Sequence, residues 1–172
     1  NVWDMGGNNG LYSRIASDRN IPTVCFDMDF EAAEKNYSLC VRNKEGNLLP
    51  LILDITNPSP GIGWENEERM SLIERGPADC VFALALIHHL AISNNTPFAK
   101  IAELLGKIGR NLIIEFVPKS DSNAQRLLKN REDIFVDYNE QEFERAFGEF
   151  FDISMKEKIF GSDRALYLMR KR

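Results

Sequence analysis

Positive charge is in deficit: 21 Lys and Arg stand against 26 Asp and Glu, for a net charge of −5. A duplex-binding protein normally carries a basic surplus, so nucleic acid is disfavoured as the main partner. No apolar run approaches the ~20 residues of a membrane-spanning helix, so no membrane partner is expected either. Histidine is scarce, with only His88 and His89, and the three cysteines, Cys25, Cys40 and Cys80, lack metal-ligand spacing. A metal site is therefore not expected, and reduced thiols in a cytoplasm are the plain reading. Ser/His/Asp and nucleophilic-Cys constellations are lacking, as are internal repeats. With 44% hydrophobic and 27% charged residues, the disordered and low-complexity classes are excluded. The length suits a single domain over 1–172. No initiator Met or signal peptide opens the chain, and Val2-Trp3-Asp4 already reads as the tail of a buried strand. The expectation is a domain that lacks the N-terminal segment of a longer chain.

What is present is an alternation of short apolar runs with longer amphipathic ones, the pattern of a parallel sheet covered by helices. The strand-like runs are Val2–Met5, Thr23–Phe26, Leu48–Leu53, Cys80–Leu84 and Asn111–Phe116. Thr96 is a good N-cap before Pro97, and Phe98, Ile101, Leu105 and Ile108 recur at helical spacing up to Gly109, which suits a left-handed cap. Asn139 and Glu142 have capping-box spacing ahead of an apolar stripe of Phe143, Ala146, Phe147 and Phe150, read as core. Asp29 opens a third helix through Tyr37 and Cys40. Phe151–Ile159 and Arg164–Met169 are joined by four residues, too few for a crossover helix, so they pair as a hairpin. The fold class is α/β: a Rossmann-like doubly wound sheet of seven strands, five parallel and then an antiparallel C-terminal hairpin, with helices on both faces.

Ligands of such sheets bind beyond the carboxyl ends of the strands. After the first strand comes Asp4-Met5-Gly6-Gly7-Asn8-Asn9-Gly10, a turn free to take positive φ and to approach a ligand closely. A nicotinamide fingerprint needs G-x-G-x-x-G, and the frame Met5-x-Gly7-x-x-Gly10 lacks its first glycine. Asp27 ends the second strand, seventeen positions after Gly10, where a carboxylate can accept both hydroxyl hydrogens of a ribose. Asp54 ends the third and can accept from an adenine amino group. Each has a plainer alternative, Asp27 as a helix cap beside Asp29 and Asp54 as a turn residue.

With the Ala83–Leu90 block after the fourth strand and the terminal hairpin, this order resembles the class I S-adenosylmethionine-dependent methyltransferases over nearly the whole chain. Asn57–Trp64 and Phe82–Asn95 also look like a bacterial group of such proteins with no assigned substrate. Asn8 departs from the family's D-x-G-x-G-x-G at the middle glycine. The resemblance implies S-adenosyl-L-methionine as cofactor, held by Asp4, Gly6, Gly7, Asn8, Asn9, Gly10, Asp27, Met28, Asp54, Ile55 and Ala83. It implies methyl transfer to a small-molecule acceptor near His88, Asn94 and Glu115. His88 or His89 is a general base or a packing residue, and Glu115 faces the acceptor or is a strand-end carboxylate. Arg164 and Arg170–Arg172 read as a solvated basic end. The alternatives are an inactive cofactor-binding or interaction module and a protein or RNA methyltransferase.

Overall fold

The computed structural model describes residues 1–129 and 132–172. Its seven strands are β1 (Val2–Met5), β2 (Thr23–Asp27), β3 (Leu48–Ile52), β4 (Ala78–Ala83), β5 (Gly109–Phe116), β6 (Phe151–Lys158) and β7 (Ala165–Lys171). They form one sheet in the order β3-β2-β1-β4-β5-β7-β6. The first five strands run parallel, and β7 is antiparallel to both β5 and β6. The order reverses between β1 and β4, the place where doubly wound sheets open a crevice. The expected architecture, hairpin included, is therefore present.

The helices are α1 (Ser13–Ser17), α2 (Phe30–Asn43), α3 (Leu72–Arg75), α4 (Phe98–Ile108), α5 (Ser122–Leu128) and α6 (Glu140–Gly148), with a π-helical turn over His89–Ser93. Asp29 caps α2, its Oδ1 accepting from the Glu31 and Ala32 amides at 2.9 and 3.4 Å. Ile101, Leu105 and Ile108 of α4 and Phe143 and Phe147 of α6 are buried beside Leu112 and Ile114 of β5 and Tyr167 and Met169 of β7. The phenylalanine stripe is core, with the Phe143 and Phe147 rings 4.4 Å apart.

Helix α1 starts at Ser13, and Leu11 and Tyr12 before it are exposed. Two local expectations change. Pro97 rather than Thr96 occupies the N-cap of α4, because its ψ of 144° keeps it extended. Gly109 takes no left-handed cap; it is extended at φ −140° and begins β5. There a Cβ would lie 2.6 Å from Cγ2 of Val81, so close strand packing explains this glycine.

Candidate functional site

The loop after β1 is folded back on β2. The Gly6 and Gly7 amides both donate to the Phe26 carbonyl, at 2.8 and 3.0 Å. Gly6 (φ 73°), Asn8 (φ 51°) and Gly10 (φ 76°) take the left-handed conformation, so the asparagine at the middle position reaches the geometry a glycine would. The Asn8 side chain closes the turn by accepting from the Asn9 amide at 2.8 Å. Gly7 has a different reason: a Cβ there would collide with Cys25 Sγ and the Asp4 carboxylate. Asp4 is itself buried and accepts from Ser13 Oγ at 2.6 Å. Burial pushes its carboxyl up to about 6, against the pull of the Ser13 hydrogen bond and with a push from the Asp27 charge.

Asp27, at the end of β2, receives the Asn8 amide on Oδ2 at 2.7 Å and the Asp29 amide on Oδ1 at 2.9 Å. Asp29, not Asp27, is the cap of α2. Each Asp27 oxygen keeps a second lone pair for a ligand hydroxyl. Asp54 accepts from the Thr56 amide and hydroxyl through Oδ1, at 2.8 and 2.7 Å, and these bonds hold its carboxyl below the usual value.

Both carboxylates open on a cleft of about 560 Å³. Its walls are Met5, Gly6 and Asn8 from the β1 loop, Phe26–Met28 from β2, Leu53–Thr56 after β3, and Leu84–Leu86, His89, Leu90, Ser93 and Asn94 after β4. Of the residues expected from sequence, Gly6, Asn8, Asp27, Met28, Asp54, Ile55, His89 and Asn94 meet there. Asp4, Gly7, Asn9, Gly10 and Ala83 do not line it, and Asp4 and Gly7 pack beneath the loop. Sequence reasoning missed Thr56, whose signal was its place two residues after Asp54, and the apolar walls Phe26, Leu53 and Leu86.

The two histidines part company. His89 is exposed and lines the cleft, and partial desolvation lowers its pKa despite the nearby Asp27 charge. His88 is fully buried with neither ring nitrogen hydrogen-bonded among the described residues, and burial takes its pKa down to about 4. The sequence expectation that either could face an acceptor narrows to His89, because the ring of His88 turns into the interior. Glu115, expected either to face the acceptor or to be a strand-end carboxylate, sits in β5 and does not line the cleft. It is 7% exposed, accepts from the Ala85 amide at 2.6 Å, and pairs with Arg164 at 3.1 Å. Arg164 is correspondingly not part of a solvated end: its side chain is 19% exposed and grips Asp121 at 2.7 and 2.9 Å. That cluster was hidden because its members stand 49 and 43 positions apart in the chain.

A second cavity of about 360 Å³ lies between the start of α4 and α6, lined by Phe98, Tyr138 and Ala146 among others, away from the ends of β1, β2 and β3. Among the described residues no helix is long and apolar enough to cross a membrane.

No family model matches the chain. Nodulation protein NoeA of Rhizobium meliloti (strain 1021) is 40% identical over 171 residues, 99% of this chain and 36% of that protein. The chain thus spans about a third of the length of the curated relative it matches. A protein solved in work on conversion of a disulfide bond into a thioacetal group during echinomycin biosynthesis aligns with a TM-score of 0.67 at 16% identity, over 99% of this chain and 74% of its own. Magnesium protoporphyrin IX methyltransferase (ChlM) from Synechocystis PCC 6803, crystallised with bound SAH, aligns with a TM-score of 0.65 at 14% identity, over the same shares of the two chains.

Proposed function

The chain has the fold of the class I S-adenosylmethionine-dependent methyltransferases, and from that premise we propose that it binds S-adenosyl-L-methionine and methylates a small-molecule acceptor. The observation that carries the reading is the state of Asp27. Its carboxylate is held at the switch-point cleft by two backbone amides, with lone pairs left over, and Asp54 stands one strand further along. Two fixed acceptors amid apolar walls suit a nucleoside, whose ribose hydroxyls and base amino group donate and whose base is flat and apolar. The cleft volume falls within the ~300–1,000 Å³ usual for ligand sites. Gly6 keeps the loop side open, since a Cβ there would sit 3.1 Å from Leu86 Cδ1.

When bound, the cofactor supplies a methyl group already activated on a sulfonium. The residues of this chain then bind, orient and exclude water, and such positioning is worth ~7–11 kcal/mol of barrier in favourable cases. Asp27 holds the ribose, Asp54 and the Leu53–Thr56 segment hold the base, and the turn after β4 borders the reacting side. His89 is uncharged at neutral pH, so its imidazole can accept a proton from a hydroxyl or amine acceptor. The acidic balance favours a small acceptor over RNA. Cytoplasmic placement and a single domain belong to the same proposal.

Thermal unfolding with and without S-adenosylmethionine and S-adenosylhomocysteine tests it. Ligand at a hundred times its Kd stabilises by about 2.7 kcal/mol, which for a chain of this size raises Tm by roughly 5–10 °C. No shift at millimolar ligand, in a folded sample, refutes the reading. A shift with no methyl release across hydroxyl, amine and thiol acceptors leaves the inactive binding module instead.

A further inference from the structure

The turn after β4 lines the cleft, yet its backbone is in a conformation that its own residues disfavour. Ala85 has a φ of +48°, in the left-handed region that a Cβ penalises. What compensates lies on other elements. The Ala85 amide donates to Glu115 Oε2 at 2.6 Å, at the end of β5. The other Glu115 oxygen accepts from Arg164 Nη1 at 3.1 Å, just before β7. Arg164 is fixed in turn by a fork onto Asp121, the cap of α5, through Nε at 2.7 Å and Nη2 at 2.9 Å. Arg–carboxylate pairs are frequently bidentate, with both oxygens on the guanidinium. Here one oxygen is reserved for a backbone amide of the cleft wall. Next to that amide, Leu86 packs against Gly6, its Cδ1 3.1 Å from where a Gly6 Cβ would stand. A shift at Ala85 therefore moves one wall against the loop after β1.

We propose that Glu115 is a positioning residue: it holds Ala85 in the left-handed turn that shapes the cofactor-facing wall, and Arg164, clamped by Asp121, holds Glu115 in that orientation. The assignment rests on the reading of the cleft as a cofactor site. It makes the C-terminal hairpin a contributor to binding, although β6 and β7 supply no lining residue of the cleft.

Calorimetric titration of the full chain with S-adenosylhomocysteine provides the test, comparing wild type with Glu115→Ala, Glu115→Gln and the double variant Glu115→Ala/Ala85→Gly. Loss of one charge-assisted bond to the amide should weaken binding by about tenfold or more in Glu115→Ala. Glu115→Gln keeps an oxygen for the Ala85 amide and should stay within about threefold of wild type, despite a lower Tm from the weakened Arg164 pair. Ala85→Gly removes the Cβ penalty, so the double variant should recover most of the lost affinity without recovering Tm. A purely structural glutamate would lower Tm and leave affinity unchanged in every folded variant, which overturns the proposal. If Glu115→Ala does not fold, amide exchange in the wild type decides. A slowly exchanging Ala85 amide supports the assignment, and exchange as fast as an exposed loop amide overturns it. Wild type that binds no S-adenosylhomocysteine removes the cofactor reading itself and this assignment with it, whereas tight wild-type binding with an unaffected Glu115→Ala removes only the assignment.

Discussion

Both oxygens of Asp27 are engaged by backbone amides, from Asn8 and Asp29, before any ligand arrives. A carboxylate fixed in this way binds without first having to be ordered, the condition under which a hydrogen bond yields the most affinity. Asp27→Ala should weaken S-adenosylhomocysteine by roughly 1.5–3 kcal/mol, about ten- to a hundredfold, as measured by calorimetry. Unchanged affinity would mean that Asp27 only closes the loop after β1. At this scale the sequence was readable where a side chain's job is local. Asp29 as a cap, Asn8 as a left-handed residue and Asp27 at a strand end all follow from neighbours in the chain. His88 and His89 were not separable, because adjacent residues at the start of a helical turn differ by about 100° in direction and only the packing decides which one turns inward.

Among the elements, α6 and the hairpin are tied by a buried tyrosine. The Tyr167 hydroxyl lies 2.8 Å from carboxylate oxygens of both Glu140 and Glu144, and Lys156 of β6 sits above its ring while pairing with the same two acids. Tyr167→Phe keeps the packing but leaves one carboxylate without its hydroxyl donor. It should cost about 1–2 kcal/mol in urea denaturation, with far-UV circular dichroism unchanged. A cost near zero would show that Lys156 alone satisfies the acids. Element existence was legible from alternating apolar runs and from the four-residue link that forbids a crossover. Element ends were less so. Gly109 looked like a helix cap but answers to Val81 on the neighbouring strand, a contact 28 positions away that no local pattern records. Arg164 looked like one of a terminal basic group for the same reason, since its partners Glu115 and Asp121 lie on other elements.

At the scale of the whole molecule, two buried groups titrate in opposition. Asp4 is pushed up to about 6 and His88 down to about 4, each mainly by burial. Between these values the folded state holds a proton on Asp4 that the unfolded chain has released, so this group makes stability fall as pH rises. His88 does the reverse, because the unfolded chain takes up a proton that the folded state refuses, and stability rises with pH; His89, also lowered, adds in that sense. The wild type should therefore vary little between about pH 4.5 and 6.5, with Asp4→Asn gaining stability and His88→Leu losing it as pH rises across that range, each by roughly 2–3 kcal/mol. Urea denaturation at the two ends of the range checks this, and variants that run parallel to the wild type would contradict the burial of both groups. The strand order carries one more consequence, for synthesis on the ribosome. Strand β7 lies between β5 and β6 although it is made after both. Until residues beyond Ala165 emerge, β5 presents an outer row of unpaired amides and carbonyls along its Asn111–Phe116 stretch, and β6 has no strand to join. Translation order and assembly order are thus crossed at the last step, and a ribosome stalled just before Ala165 holds a nascent chain with an open apolar edge, the species on which a chaperone or an aggregate would act first.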